Sequence, residues 1–76
     1  MFVATMYSEH YCWTSLGYSE NEAIEALRRA WNDRQIVLSE ADSTFKPTFF
    51  TTSAAMNYRY GVRVTRVRPG ECVMEN

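Results

Sequence analysis

The chain has 76 residues, 46% of them hydrophobic and 14% aromatic, and a formal net charge of −1. That length holds one domain, residues 1–76, around one small core, and that apolar content excludes an intrinsically disordered chain. No apolar run approaches the roughly 20 residues of a membrane span, and Met1-Phe2-Val3-Ala4-Thr5-Met6 lacks the basic start and long apolar centre of a signal peptide, so the expected compartment is the cytosol and no membrane partner is expected.

Phe2 to Tyr7 is short, apolar and rich in β-formers, and it reads as a strand. Ser8-Glu9-His10 breaks the pattern, and Tyr11 to Leu16 reads as a second strand. Together they suggest a hairpin, with one long bulged strand as the alternative. Gly17 and Tyr18 end this region, and Ser19-Glu20-Asn21-Glu22 fits a capping box. There the Ser19 hydroxyl accepts from the amide of Glu22, and the Glu22 carboxylate accepts from the amide of Ser19. Ile24, Leu27 and Trp31 recur at i, i+3, i+7 with Ala23, Ala26 and Ala30 beside them, which makes one apolar stripe. Glu25, Arg28, Arg29 and Asn32 take the opposite side, and Glu25 to Arg29 is a favourable i, i+4 pair. The spacing predicts a helix over about 19–34.

Beyond Arg34 the pattern is less regular. Gln35-Ile36-Val37-Leu38 reads as a short strand or as the last turn of the helix, and Ser39 to Lys46 as a polar loop. Pro47 precedes Thr48-Phe49-Phe50-Thr51-Thr52, which reads as a strand near a sheet edge. Residues 53–61 carry an N-cap candidate in Ser53, helix formers and a closing Gly61, and so read as a short helix, with a continuous hairpin through Asn57 as the rival. Val62 to Val67 is the best strand pattern. Val62 and Val64 share a face while Val67 falls out of phase, and a bulge near Thr65-Arg66 would bring all three valines inward. Pro69-Gly70 marks a turn, and Glu71 to Met74 reads as a last short strand. The sum is an α+β domain: a three- or four-stranded, mostly antiparallel sheet with one main helix packed on one face.

Charge is polarised along the chain. Residues 19–42 hold Glu20, Glu22, Glu25, Asp33, Glu40 and Asp42 against Arg28, Arg29 and Arg34, and residues 59–68 hold Arg59, Arg63, Arg66 and Arg68 with no acid. Tyr58, Arg59, Tyr60, Arg63, Arg66 and Arg68 interleave aromatics with cations. Guanidinium forks suit phosphates and tyrosines stack on bases, so this stretch is a candidate nucleic-acid surface. Arg and Tyr are equally the residues of protein-interface hot spots, and four arginines are few for strong phosphate neutralisation. Glu20, Glu22, Glu25, Glu40 and Asp42 form a candidate acidic patch for a basic protein surface, although capping and solubility account for acids at a helix start. Phe49 and Phe50 must point to opposite faces of a strand, so some aromatic surface is left over, and a homodimer is the simplest way to bury it.

The chain carries no glycine-rich phosphate loop, no HExxH-type or CxxC pattern and no Gly-x-Ser-x-Gly elbow, so no catalytic role is expected. His10 and Cys12 share a strand face, but zinc takes four ligands and only Cys72 remains to join them; no metal site and no cofactor is expected. In a reducing cytosol Cys12 and Cys72 are two thiols rather than a disulfide.

Leu16-Gly17-Tyr18-Ser19-Glu20-Asn21-Glu22-Ala23-Ile24 resembles the strand, Gly, Ser/Thr, x, x, Glu-Ala helix entry of HicB-type antitoxins. In size and style the whole chain is similar to the small α+β proteins of bacteriophages, anti-CRISPR inhibitors included. That likeness implies a non-catalytic protein that covers a surface on a host protein complex handling nucleic acid. The alternative is a nucleic-acid-binding or antitoxin-like regulator that uses residues 59–68.

Overall fold

Two runs of β-formers flank Glu9-His10, and they close into a hairpin. In the computed structural model, which describes residues 1–70, the strands are β1 (Phe2–Ser8) and β2 (Tyr11–Gly17), paired antiparallel from Phe2↔Gly17 to Ser8↔Tyr11. Facing residues of an antiparallel pair point the same way. Phe2, Ala4 and Met6 therefore share one face with Ser15 and Trp13, and Val3, Thr5 and Tyr7 share the other with Leu16, Thr14 and Cys12.

The passage from strand to helix is tight. Gly17 is buried, and a Cβ there would sit 2.9 Å from the Cα of Ala23, so the end of β2 touches the first turn of the helix through bare backbone. That helix is α1 (Glu20–Ala41). Ser19 caps it as expected, its hydroxyl accepting from Glu22 N at 3.1 Å. The returning Glu22 carboxylate accepts from Tyr18 N at 3.2 Å, one residue earlier than the capping box placed it.

α1 runs to Ala41, well past the expected end near 34, so Gln35 to Leu38 is helix rather than strand and the loop begins only at Asp42. The ending is chemical. Asp42 N donates to Leu38 O at 3.0 Å, while its own carboxylate accepts from Thr44 N at 2.9 Å and from the Thr44 hydroxyl at 2.7 Å. Such a side-chain turn offers the backbone an alternative to another helical turn. The buried stripe is Ala23, Leu27, Trp31 and Gln35, at i, i+4 spacing and ending on an amide, while Ala30 lies exposed.

Residues 48–52 do not form the expected edge strand. Their polar backbone is taken up by side chains of α1. Thr48 N donates to Gln35 Oε1 at 3.0 Å, and Thr48 O accepts from Trp31 Nε1 at 2.9 Å. Phe50 N donates to Asn32 Oδ1 at 2.9 Å, and Phe50 O accepts from Asn32 Nδ2 and from an Arg28 guanidinium nitrogen, each at 2.9 Å. Arg28 and Asn32, read from the sequence as the solvent side of the helix, thus hold a second chain segment.

Thr52 then caps α2 (Ser53–Tyr60), its hydroxyl accepting from Ala55 N at 3.1 Å, one residue before the expected Ser53. Gly61 closes the helix at φ 75°, with its N–H donating to Asn57 O at 2.8 Å; the helix reading of 53–61 holds, not the hairpin. β3 (Val62–Arg66) pairs antiparallel with β1 in unbroken register, Met6↔Val62 to Phe2↔Arg66. No bulge forms: the strand stops before the out-of-phase Val67, whose N–H donates to Met1 O at 2.8 Å. The sheet order is β2-β1-β3. The strand expected over Glu71 to Met74 lies outside the described residues, as does Cys72.

The core is Ala4, Met6, Ala23, Leu27, Trp31, Phe50 and Met56. Trp31 is its hub, with ring centroids 5.3 Å from Trp13, 5.6 Å from Phe50 and 5.1 Å from Tyr60. Asn32→Ala leaves the Phe50 N–H without its acceptor, and we expect a loss of about 1–3 kcal/mol in urea unfolding. Asp33→Ala, an exposed neighbour, should stay within about 0.5 kcal/mol of the parent; equal losses would count against the side-chain ladder.

Candidate functional site

Strand alternation divides the basic stretch. Arg63 lies on the sheet face away from α1, whereas Arg66 is in phase with Val62 and Val64, opposite Phe2 on the α1 side. Arg59 belongs to α2 and stacks over the Tyr60 ring, 4.7 Å from its centroid. Tyr60 itself packs against Trp31 and Phe50, while Tyr58 is 94% exposed. Arg68 is exposed beyond the end of β3. Six residues adjacent in sequence therefore look out in several directions rather than over one surface.

The acidic candidates are likewise spread. Glu20 and Glu22 occupy the first turn of α1, Glu40 its last, and Asp42 the residue after it. At 1.5 Å per residue the two ends are about 33 Å apart. Three of these acids already have partners, Glu22 among them through its bond from Tyr18 N. Glu25 takes two hydrogen bonds from Arg28, at 2.8 and 2.9 Å, and one from the Ser53 hydroxyl, tying α1 to the start of α2. This i, i+3 pair with Arg28 stands where Glu25–Arg29 was expected. The Arg28 hydrogen bonds, aided by Ser53, hold the Glu25 carboxyl below its ordinary value. The Thr44 hydroxyl and amide do the same for Asp42.

Two other surfaces emerge. The first is the sheet face away from α1, built from Val3, Thr5 and Tyr7, from Cys12, Thr14 and Leu16, and from Arg63 and Thr65. On it Thr5 is buried, 4% exposed, while Leu16 is 59% exposed, and its residues carry one cation and no acid.

The second is a cleft of about 590 Å³ between the β1–β2 turn, the C-terminal half of α1 and residues 45–48. Trp13, Trp31, Phe45 and Tyr60 line it with aromatic surface, Arg34, Lys46 and Glu9 bring the charges, and His10 adds an imidazole. Sequence reasoning did not assemble this cleft because Gln35 and Leu38 reach it only if α1 continues past residue 34. The i, i+4 pair Trp31 and Gln35 was the available signal, and it was masked by the strand-like Ile36-Val37 beside it.

Among the described residues no group of three or more His, Cys, Asp or Glu side chains could hold a metal ion, and no helix is long and apolar enough to cross a membrane. Cys12 is exposed, on the sheet face opposite His10's cleft partner Trp13. The fold defines a small α+β protein built on a three-stranded antiparallel sheet. Comparison with protein-family models, with curated proteins and with solved structures finds no significant match.

Because the folded Glu25 is a stronger acid than the unfolded one, its bonds stabilise the fold above the ordinary glutamate value of 4.5, and that stabilisation is lost as pH falls through the lowered folded value. Glu25→Gln should therefore melt below the parent at pH 7, with the gap in Tm narrowing below about pH 4.5. A gap that stays constant down to pH 3 would show that Glu25 acts through shape alone.

Proposed function

We propose that this protein is a non-catalytic interaction module that covers a surface on a protein complex handling nucleic acid. The observation that supports the docking face is that Thr14, Leu16 and Arg63 stand exposed on one sheet face, beside the half-buried Val3 and Thr65. Its chemistry is apolar and hydroxylic around one guanidinium, with no acid to repel a carboxylate. It fits a neutral or acidic protein surface, which Arg63 would engage by a bidentate pair. The nature of the target rests on the likeness in size and style to small phage inhibitors, an analogy at the level of fold.

Direct contact with nucleic acid is the weaker reading. Neutralising several phosphates along one backbone takes arginines on one surface, and here Arg63 and Arg66 lie on opposite faces of one strand. Tyr60 packs in the aromatic cluster, so its replacement reports on folding and does not belong in a test of binding.

The test is a tagged pull-down from a bacterial lysate, with and without nuclease, comparing the parent with Leu16→Glu and Arg63→Glu. We expect a discrete protein partner that survives nuclease and is lost by both variants, each keeping the parent circular dichroism spectrum. Capture that vanishes with nuclease, or that both variants retain, would overturn the assignment of this face.

A further inference from the structure

We infer that the cleft beside the β1–β2 turn is a binding site for a small planar aromatic anion. The cleft lies at the hairpin-turn end of the sheet and shares Cys12 with the docking face, but not Leu16, Arg63 or Thr65. Its volume of about 590 Å³ falls within the range of roughly 300–1,000 Å³ typical of small-molecule sites.

The walls set the class of ligand. Both tryptophans of the chain line the cleft, and both indole N–H groups are already used: Trp13 Nε1 donates to the Ser8 hydroxyl and Trp31 Nε1 to Thr48 O, each at 2.9 Å. Trp31 is only 6% exposed and offers an edge, while the half-buried Trp13, Phe45 and Tyr60 supply the ring surface that suits a flat aromatic guest. The hydrogen bonds also lock the ring orientations, so little side-chain freedom is lost on binding.

The polar groups set the charge. Arg34 and Lys46 line the cleft from α1 and from the 45–48 segment, and no described carboxylate pairs with either, since the ion pair among the described residues is Arg28–Glu25. Glu9 is the one acid in the lining, and it comes from the hairpin turn with His10. Two exposed cations thus share the lining with one acid, and an anionic group satisfies the balance when it sits on the Arg34 and Lys46 side.

Gln35 adds a fixed donor. It is only 6% exposed, and its Oε1 is held by Thr48 N at 3.0 Å. Its Nε2 has no described partner, yet no fully buried side-chain nitrogen or oxygen is left unpaired. Nε2 therefore keeps access to the cleft that Gln35 lines, as a donor aimed by the bond on the other side of the same amide. A carboxylate and a phosphate would both use this donor and the two cations; a planar ring with either group fits.

The experiment is a two-dimensional ¹H–¹⁵N NMR titration that follows the indole signals of Trp13 and Trp31. The probes are indole-3-acetate, a ring with a carboxylate; adenosine monophosphate, a ring with a phosphate; and indole, a ring without charge. We expect saturable shifts of both indole signals with at least one charged probe, and binding of indole about tenfold weaker or more. The double variant Arg34→Ala/Lys46→Ala, changed at two exposed side chains, should lose about tenfold for the charged probe while its affinity for indole is unchanged. Whichever charged probe binds tighter identifies the anionic group. No saturable shift with either charged probe at millimolar concentration, or equal binding by parent and double variant, would overturn the inference.

Discussion

Asn32 is bonded to Phe50 twice, once to its N–H and once to its C=O, as a neighbouring strand would be. Trp31 and Gln35 do the same for Thr48 between them. The rest of the architecture depends on this substitution of helix side chains for a fourth strand. It lets a non-helical segment lie along α1 with its buried polar groups satisfied, at a place where unpaired ones would each cost about 1–3 kcal/mol. It delivers Phe50 to the Trp31 ring cluster, puts Thr52 where it can cap α2, and stands Phe45 and Lys46 opposite the hairpin turn as one wall of the cleft.

The local chemistry of this chain was readable from its sequence, and the long-range chemistry was not. The hairpin, the Ser19 cap, the α2 helix with its Gly61 stop and the strand after it each follow from residues a few places apart. The extension of α1 to Ala41 and the fate of residues 48–52 do not. Thr48-Phe49-Phe50-Thr51-Thr52 has the composition of a strand, and what overrides it is a set of partners 13 to 22 residues away. Asn32 and Arg28 look like solvent-side residues on any helical wheel, because a wheel cannot show what lies against the polar side. The bulge expected near Thr65-Arg66 solved a phase problem that the chain solves more simply, by ending β3 before Val67.

For the candidate site the lesson is geometric. A cluster of like residues in sequence becomes a surface only if the period of the local structure brings them to one side. Across Tyr58 to Arg68 the period changes from helix to strand at Gly61, so the residues fan out. The cleft shows the reverse. His10, Arg34 and Lys46 are remote in sequence, and the hairpin turn, α1 and the 45–48 segment carry them to one concavity.

The central place of β1 has a consequence for synthesis. β1 precedes its first neighbour, β2, by one turn, but its second neighbour begins only at Val62. Until Val62 to Arg66 has been made, one edge of the middle strand, Phe2 to Met6, therefore has no ladder partner, and an unpaired apolar edge is a template for wrong pairing between chains. The hairpin, α1 and the 48–50 segment can assemble without β3 because their bonds to one another do not involve it. Pairing of β3 is therefore what closes the second edge of β1.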